Sequence, residues 1–247
     1  METQNVTTGF QDVDHSKHQF LIKFLEDVSA FPPVLDALKT QLDWLDIRNG
    51  DHVLDVGCGI GLQALTMAQL VGAGGKVVGT DLSSVMIEIA NNKAASSNLP
   101  VEFFTADAVA QPFPDQSFNC LRTERVLMYI KDTEGVLKEF KRLLKPGGRL
   151  VVFDFDWDTI AIGHRNKVLT RKIIRYASDS FPNGRVGAEL FAKMKSVGFK
   201  DVRAKPCSYF GDGPVIQDIT KRIYGGILET GVSNNVFTKA DVENWWD

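Results

Sequence analysis

Val53-Leu54-Asp55-Val56-Gly57-Cys58-Gly59-Ile60-Gly61 reads as a buried strand that breaks into a glycine turn. Glycines at alternate positions let the backbone approach a ligand closely and adopt φ > 0. The apolar stretch Ala64-Leu65-Thr66-Met67-Ala68 then opens a helix whose first amides face the same turn. A second apolar strand, Val77-Val78-Gly79-Thr80, ends at Asp81, 20 residues past Gly61. An acidic residue at that place in a βαβ unit bonds the hydroxyls of a nucleoside ribose. The pattern predicts an adenosine-bearing cofactor.

The turn alone does not choose among such cofactors. Read from Gly57, the dinucleotide pattern GxGxxG fails, because Leu62 stands where the third glycine belongs. Read from Gly59, the looser GxGxxA form is met by Gly59, Gly61 and Ala64, which leaves nicotinamide and flavin cofactors open.

Outside this unit the chain is ordinary. Its 247 residues are 44% hydrophobic and 24% charged, with a net charge of −3. That length fits a single α/β domain with insertions, and no global field draws it to nucleic acid or acidic membranes. No apolar run is long enough to span a bilayer, and the start, METQNVTTGF, lacks the regions of a signal peptide. A cytoplasmic protein is expected. Cys58, Cys120 and Cys207 are odd in number and scattered, and with four dispersed histidines they offer no metal-ligand spacing. Cys58 reads as a small residue in a tight turn, with a nucleophilic role as the lesser alternative.

Helical periodicity over residues 17–47 is interrupted at Phe31-Pro32-Pro33. A helix capped by Ser83 or Ser84 is predicted to run to about Asn98. Strands are expected at Val101–Thr105, at Ser117–Thr123 and, after a Pro146-Gly147-Gly148 break, at Arg149–Phe155. Between the last two, Thr133–Leu144 forms an amphipathic helix. Strands alternating with helices predict a doubly wound, mostly parallel sheet. Beyond it the pattern predicts helices at Arg165–Ala177 and Ala188–Ser196, a sixth strand at Val202–Phe210 and a mostly helical remainder.

With five strands placed, residues Asp51–Phe210 resemble the class I S-adenosylmethionine-dependent methyltransferases, in particular the small-molecule group that includes the quinone-biosynthesis C-methyltransferases. Four blocks carry the resemblance in order: VLDVGCGIG, VVGTDLSSVMIEIA, FFTADAVAQPFPDQSFNC and LKEFKRLLKPGGRLVVFD. It implies a Rossmann-like fold that binds S-adenosyl-L-methionine and releases S-adenosyl-L-homocysteine. Gly57, Gly59 and Gly61 would approach the aminoacyl and ribose portion, and Asp55 would anchor the ammonium. Asp81 would bond the ribose hydroxyls, Leu82 and Met86 would pack on the adenine plane, and Asp107 with the Ala108 amide would read the adenine edge. Thr123, at the exit of strand four, would lie where cofactor and substrate meet. The domain is read as 1–247, with an N-terminal helical lid at 1–50, a cofactor core at 51–155 and a substrate-side half with a helical cap at 156–247.

No Asn-Pro-Pro or Asp-Pro-Pro follows strand four, so the resemblance does not extend to enzymes that methylate amino groups of nucleic acids or glutamine. A seventh strand, which closes the family's sheet, is not evident in the last 37 residues. That and the terminal Trp245-Trp246 point to a truncated chain. The expected partner is a small-molecule methyl acceptor at N, O or C, with neither nucleic acid nor membrane, and the oligomeric state stays open.

Methylating a phenol or carbon acid needs a positioned base. Asp154, Asp156, Asp158 and His164 cluster after strand five, and His164 is the favoured candidate by its reference pKa. Glu124 and Arg125 either contact substrate or pair with neighbours. Lys167, Arg171 and Arg175 share one helix face; aimed at the pocket they would select an anionic acceptor, and aimed outward they are a solvated face. Two other readings compete: a non-catalytic partner or regulator with this fold, and an NAD-dependent oxidoreductase.

Overall fold

A computed structural model describes residues 6–10, 12–15 and 18–246, with the side chains of residues 7 and 8 left out. The predicted lid over 1–50 and the terminal Asp247 therefore lie partly outside the described residues.

Five strands form one parallel sheet: β1 (His52–Val56), β2 (Lys76–Asp81), β3 (Val101–Thr105), β4 (Phe118–Glu124) and β5 (Leu144–Phe153), in the order β3-β2-β1-β4-β5. Residues along β1 alternate between the two faces. Val53 packs with Met67, Val77 and Cys120 on one side, and Leu54 packs with Leu121, Leu137 and Phe140 on the other. Both faces are thus buried, as near-continuous apolar strands require. The crossovers are α4 (Leu62–Val71) after β1, α5 (Ser84–Ala94) after β2 and α6 (Thr133–Leu143) after β4. Side chains hold their starts: Ser83 Oγ accepts from the Met86 N–H at 3.1 Å, and Asp132 accepts from the Gly135 N–H at 2.8 Å.

Before the sheet come α1 (Val6–Gly9), α2 (His18–Ser29) and α3 (Pro32–Leu45); Pro32 starts α3 and Asp46 ends it in the left-handed region at φ 46°. After the sheet come α7 (Lys167–Asp179), α8 (Val186–Val197), α9 (Gly213–Ser233) and α10 (Lys239–Trp246). The last pair packs on α7, where Trp245 is buried and its indole N–H donates to Thr170 Oγ1 at 3.0 Å.

Two expectations are corrected. Val202–Phe210 is not a strand: the segment is irregular, and residues 203–208 are all exposed. Pro206 has no N–H for a ladder, and the run offers no apolar face to bury. Pro146-Gly147-Gly148 does not precede β5 but lies within it, as a register shift between the Phe118↔Leu144 and Cys120↔Arg149 pairings. Helix α5 also stops at Ala94, short of Asn98. Among the described residues no strand follows Phe153.

Candidate active site

The strand order reverses between β1 and β4, since the chain goes to β2 and β3 on one side and to β4 and β5 on the other. A crevice at the C-terminal ends of the strands belongs at such a switch point. A cleft of about 1890 Å³ opens there. One end is walled by the glycine turn, Asp81, Leu82, Met86 and Asp107, and the other by the segments that follow β4 and β5, together with α9.

At the first end the turn is held by packing. Gly57, Gly59 and Gly61 have φ of +73°, +53° and +78°. A Cβ on Gly57 would lie 2.1 Å from Val126 Cγ2, and one on Gly61 would lie 2.7 Å from the Phe103 ring. The first glycine fits the turn against the β4 exit, and the last lets α4 close on β3. Gly59 faces the cleft, and its N–H donates to Asp81 Oδ2 at 2.8 Å. Asp81 Oδ1 accepts from the Ser83 N–H at 3.0 Å. Burial pushes the Asp81 carboxyl above the usual carboxylate range, against the pull of these amides. Leu82 is 67% exposed and Met86 2%, so an apolar floor and an apolar edge flank the acid. Asp107 is exposed and Ala108 half-buried at the next strand end, where Asp107 Oδ1 accepts from the Val109 N–H at 3.1 Å.

The N-terminal segment supplies a contact with no local signal in the sequence. Asp14 accepts from the Ser83 hydroxyl, the Ser84 N–H (3.1 Å), the Ser84 hydroxyl (2.8 Å) and the Val85 N–H (3.3 Å). It thus occupies the start of α5 beside Asp81, and these hydrogen bonds, led by that of Ser83, lower its pKa to about 2. Val13 and Leu21 pack there with Ile60 and Met86.

Asp55 and Thr123 stand off the cleft. Asp55 is 1% exposed, and its Oδ1 accepts from Arg122 Nη1 at 2.9 Å. Burial raises its pKa against the attraction of that guanidinium. Thr123 is also 1% exposed, on the opposite face of β4 from Arg122, and its hydroxyl has no partner. The alternation of β4 decides this: Arg122 and Glu124 share one face and Thr123 the other.

Arg122 extends Asp55 into a buried chain of charge. It also donates through Nε to Gln41 Oε1 at 3.0 Å and through Nη2 to Glu124 Oε2. Glu124 Oε1 lies 3.0 Å from Arg125 Nε. Glu124 reaches the cleft, but both of its carboxylate oxygens are taken up by guanidinium groups. The signal for the chain was present in sequence: an arginine in a buried strand needs a carboxylate beside it, and Asp55 lies in register with Arg122.

The other candidate bases are also engaged. Asp156 Oδ1 accepts from the Asp158 N–H at 3.1 Å and caps a single turn at Trp157–Thr159, while Asp158 pairs with Arg185 at 3.2 Å. His164 lines the cleft, but its Nδ1 accepts from the Asn166 N–H at 3.0 Å, which places the proton of a neutral ring on Nε2. Nε2 is buried without a partner, so the imidazole offers a donor and keeps its lone pair for its own backbone. Asp154 lines the cleft as well; its oxygens accept from the Leu127 (2.8 Å), Met128 (3.3 Å) and Phe155 (2.9 Å) amides. Burial outweighs these amides and pushes its pKa up to about 7. Lys167, Arg171 and Arg175 are exposed and do not line the cleft, so they form the solvated face. Burial pushes the Cys58 thiol well up, which leaves it protonated and removes the nucleophilic reading.

A Rossmann-like sheet with a glycine turn and two strand-end acids at its switch point defines the class I methyltransferase architecture. Residues 47–205 match the family described as a methyltransferase domain, and the chain belongs to that family. Among sequence relatives, an uncharacterized 37.1 kDa protein in transposon TN4556 of Streptomyces fradiae is 35% identical over 72% of this chain and 52% of its own. A ubiquinone/menaquinone biosynthesis C-methyltransferase of Hahella chejuensis is 33% identical over 57% of this chain and 55% of its own. The chain thus spans about half the length of these relatives. The solved structure of Haemonchus contortus phosphoethanolamine N-methyltransferase 2 shares the fold with a TM-score of 0.63 at 19% identity, covering 99% of this chain and 55% of that one. Among the described residues no helix is long and apolar enough to cross a membrane, and no cluster of side chains suits a metal ion.

Proposed function

We propose that the protein transfers a methyl group from S-adenosyl-L-methionine to a small-molecule acceptor in the cytoplasm. The observation that carries this reading is the Asp81 carboxylate in the cleft wall, fixed by the Gly59 and Ser83 amides and flanked by Leu82 and Met86. An acid so placed suits ribose hydroxyls, which a carboxylate accepts as a charge-assisted pair. Gly59 leaves open the space a side chain would fill, since a Cβ there meets only Leu25, at 3.5 Å. Asp107 and the Ala108 amide stand one strand further on, where an adenine edge follows its ribose. When bound, the cofactor supplies an electrophilic methyl group for in-line displacement.

The remaining work is positional. Alignment in a dry cleft accounts for roughly 7–11 kcal/mol of such a barrier. Residues 51–155 form the cofactor core, and the helices on either side of it cover the cleft. Asp154, which lines the cleft, is the acid best tuned to accept a proton near neutrality. The names of sequence relatives, a phosphoethanolamine N-methyltransferase and a ubiquinone/menaquinone biosynthesis C-methyltransferase, agree with a small acceptor.

Calorimetric titration with S-adenosylhomocysteine tests the reading. Binding on the order of −8 kcal/mol, the micromolar scale, is expected for the native protein, weakened at least about tenfold in Asp81→Ala and absent with NAD. Folded protein that binds NAD, or binds neither, overturns it.

A further inference from the structure

The far end of the charge chain lies at the acceptor side of the cleft and is not closed. Asp55, Arg122 and Glu124 pair with one another in the interior, and Arg125 is the last member. Its backbone takes the left-handed conformation, φ +57°, immediately after β4, where its N–H donates to the Phe153 carbonyl at 2.8 Å. A non-glycine residue pays for that conformation, and the residue that adopts it lines the cleft. Among the described residues no hydrogen bond engages that guanidinium. Its Nε is buried without a hydrogen-bond partner, because the nearby Glu124 oxygen lies outside bonding geometry.

The cleft holds a second buried orphan. Tyr209, from the irregular segment after α8, lines the same cleft with a buried hydroxyl that has no hydrogen-bond partner among the described residues. The two groups are close enough to perturb each other electrostatically. Burial pushes the Tyr209 pKa to about 12, so the phenol keeps its proton and donates. Flat apolar walls complete the place: the Tyr209 ring lies 5.9 Å from that of Phe155 and 6.4 Å from that of Phe153. Two unmatched donors, one of them cationic, beside aromatic walls call for an oxyanion on a flat frame.

Building on the methyltransferase reading, we propose that Arg125 and Tyr209 form the acceptor-recognition site and select an aromatic acceptor carrying a carboxylate or phosphate. The pair replaces Lys167, Arg171 and Arg175 as the source of any anion preference. It disfavours a cationic acceptor, which would bring a second positive charge beside a buried guanidinium whose ion-pair partner, Glu124, is already shared with Arg122.

The test is ligand-observed NMR titration of protein saturated with S-adenosylhomocysteine, using benzoate, phenyl phosphate and neutral benzamide as probes. At least one acid is expected to bind about tenfold tighter than benzamide, the size of a charge-assisted hydrogen bond; which acid wins identifies the oxyanion. Tyr209→Phe should cut that preference several-fold and Arg125→Gln should abolish it, while both variants keep S-adenosylhomocysteine affinity within about threefold. A merely structural role would weaken acids and amide alike. Equal binding of acids and amide, no acid binding, or a preference that survives Arg125→Gln overturns the proposal. Failure of the loaded state itself to form is a different result, and it strikes at the methyltransferase reading.

Discussion

At the cofactor end of the cleft, Gly59 and Asp81 hang from the ends of β1 and β2, two strands paired in continuous register from His52↔Lys76 to Val56↔Thr80. At the acceptor end, Arg125 sits in a strained turn, and Tyr209 comes from a segment with no secondary structure. The first end presents a carboxylate already satisfied by backbone amides; the second presents buried donors with no partner. The contrast teaches where each kind of specificity resides. In the proposed function, the shared nucleoside would be met by geometry that the sheet fixes, and the variable reactant by side chains on elements free to diverge.

The charge chain joins the two ends, so breaking it is the severest test of that contrast. Arg122→Leu should cost about 3–5 kcal/mol by urea unfolding, because it strands the Asp55 and Glu124 carboxylates in the interior. A loss below 1 kcal/mol would mean that the chain does not brace the sheet. Gly57→Ala should cost about 2–4 kcal/mol, combining the left-handed penalty with overpacking against Val126, and should weaken S-adenosylhomocysteine more than any acceptor-side probe.

A smaller effect separates the ends by pH. Asp154 has its folded pKa raised to about 7, above its ordinary value of 3.8. The folded state therefore holds the extra proton in that window, and this group's contribution to stability is full below pH 4 and lost as pH rises toward 7. Asp55 and Asp81 are raised too, so they add slope of the same sign. Unfolding free energies measured from pH 4 to 8 should fall less steeply in Asp154→Asn; an unchanged slope would place the titration elsewhere. Least of all, replacing Lys167, Arg171 and Arg175 together by alanine should change stability by less than about 1 kcal/mol and leave the benzoate-to-benzamide ratio alone.

The cofactor half was legible because its chemistry is local. VLDVGCGIG carries strand, turn and helix start in consecutive residues, and Asp81 and Asp107 each stand at a strand end marked by an apolar run. The acceptor half was not, because its signals are long-range. Tyr209 meets Phe153 and Phe155 across more than 50 residues, and no periodicity reports such contacts. Val202–Phe210 departs from its predicted strand although β5 is an edge of the sheet, because Pro206 lacks an N–H and the run offers no apolar face to bury. His164 was chosen for its intrinsic pKa, while its role is set by the Asn166 amide, a contact fixed only when α7 forms.

Asp14 also bears on which nucleosides the cleft admits. The α5 start, with its exposed amides, is a natural seat for phosphate, and it lies just past the acid assigned to the ribose hydroxyls. Here a carboxylate of the chain itself already fills it and takes up its donors. A ribose bearing a phosphate at its hydroxyls would meet two negative groups, Asp14 and Asp81, and no unoccupied amide. If the cleft takes a nucleoside as proposed, the segment that precedes the first strand would act as an electrostatic filter against ribose-phosphorylated analogues.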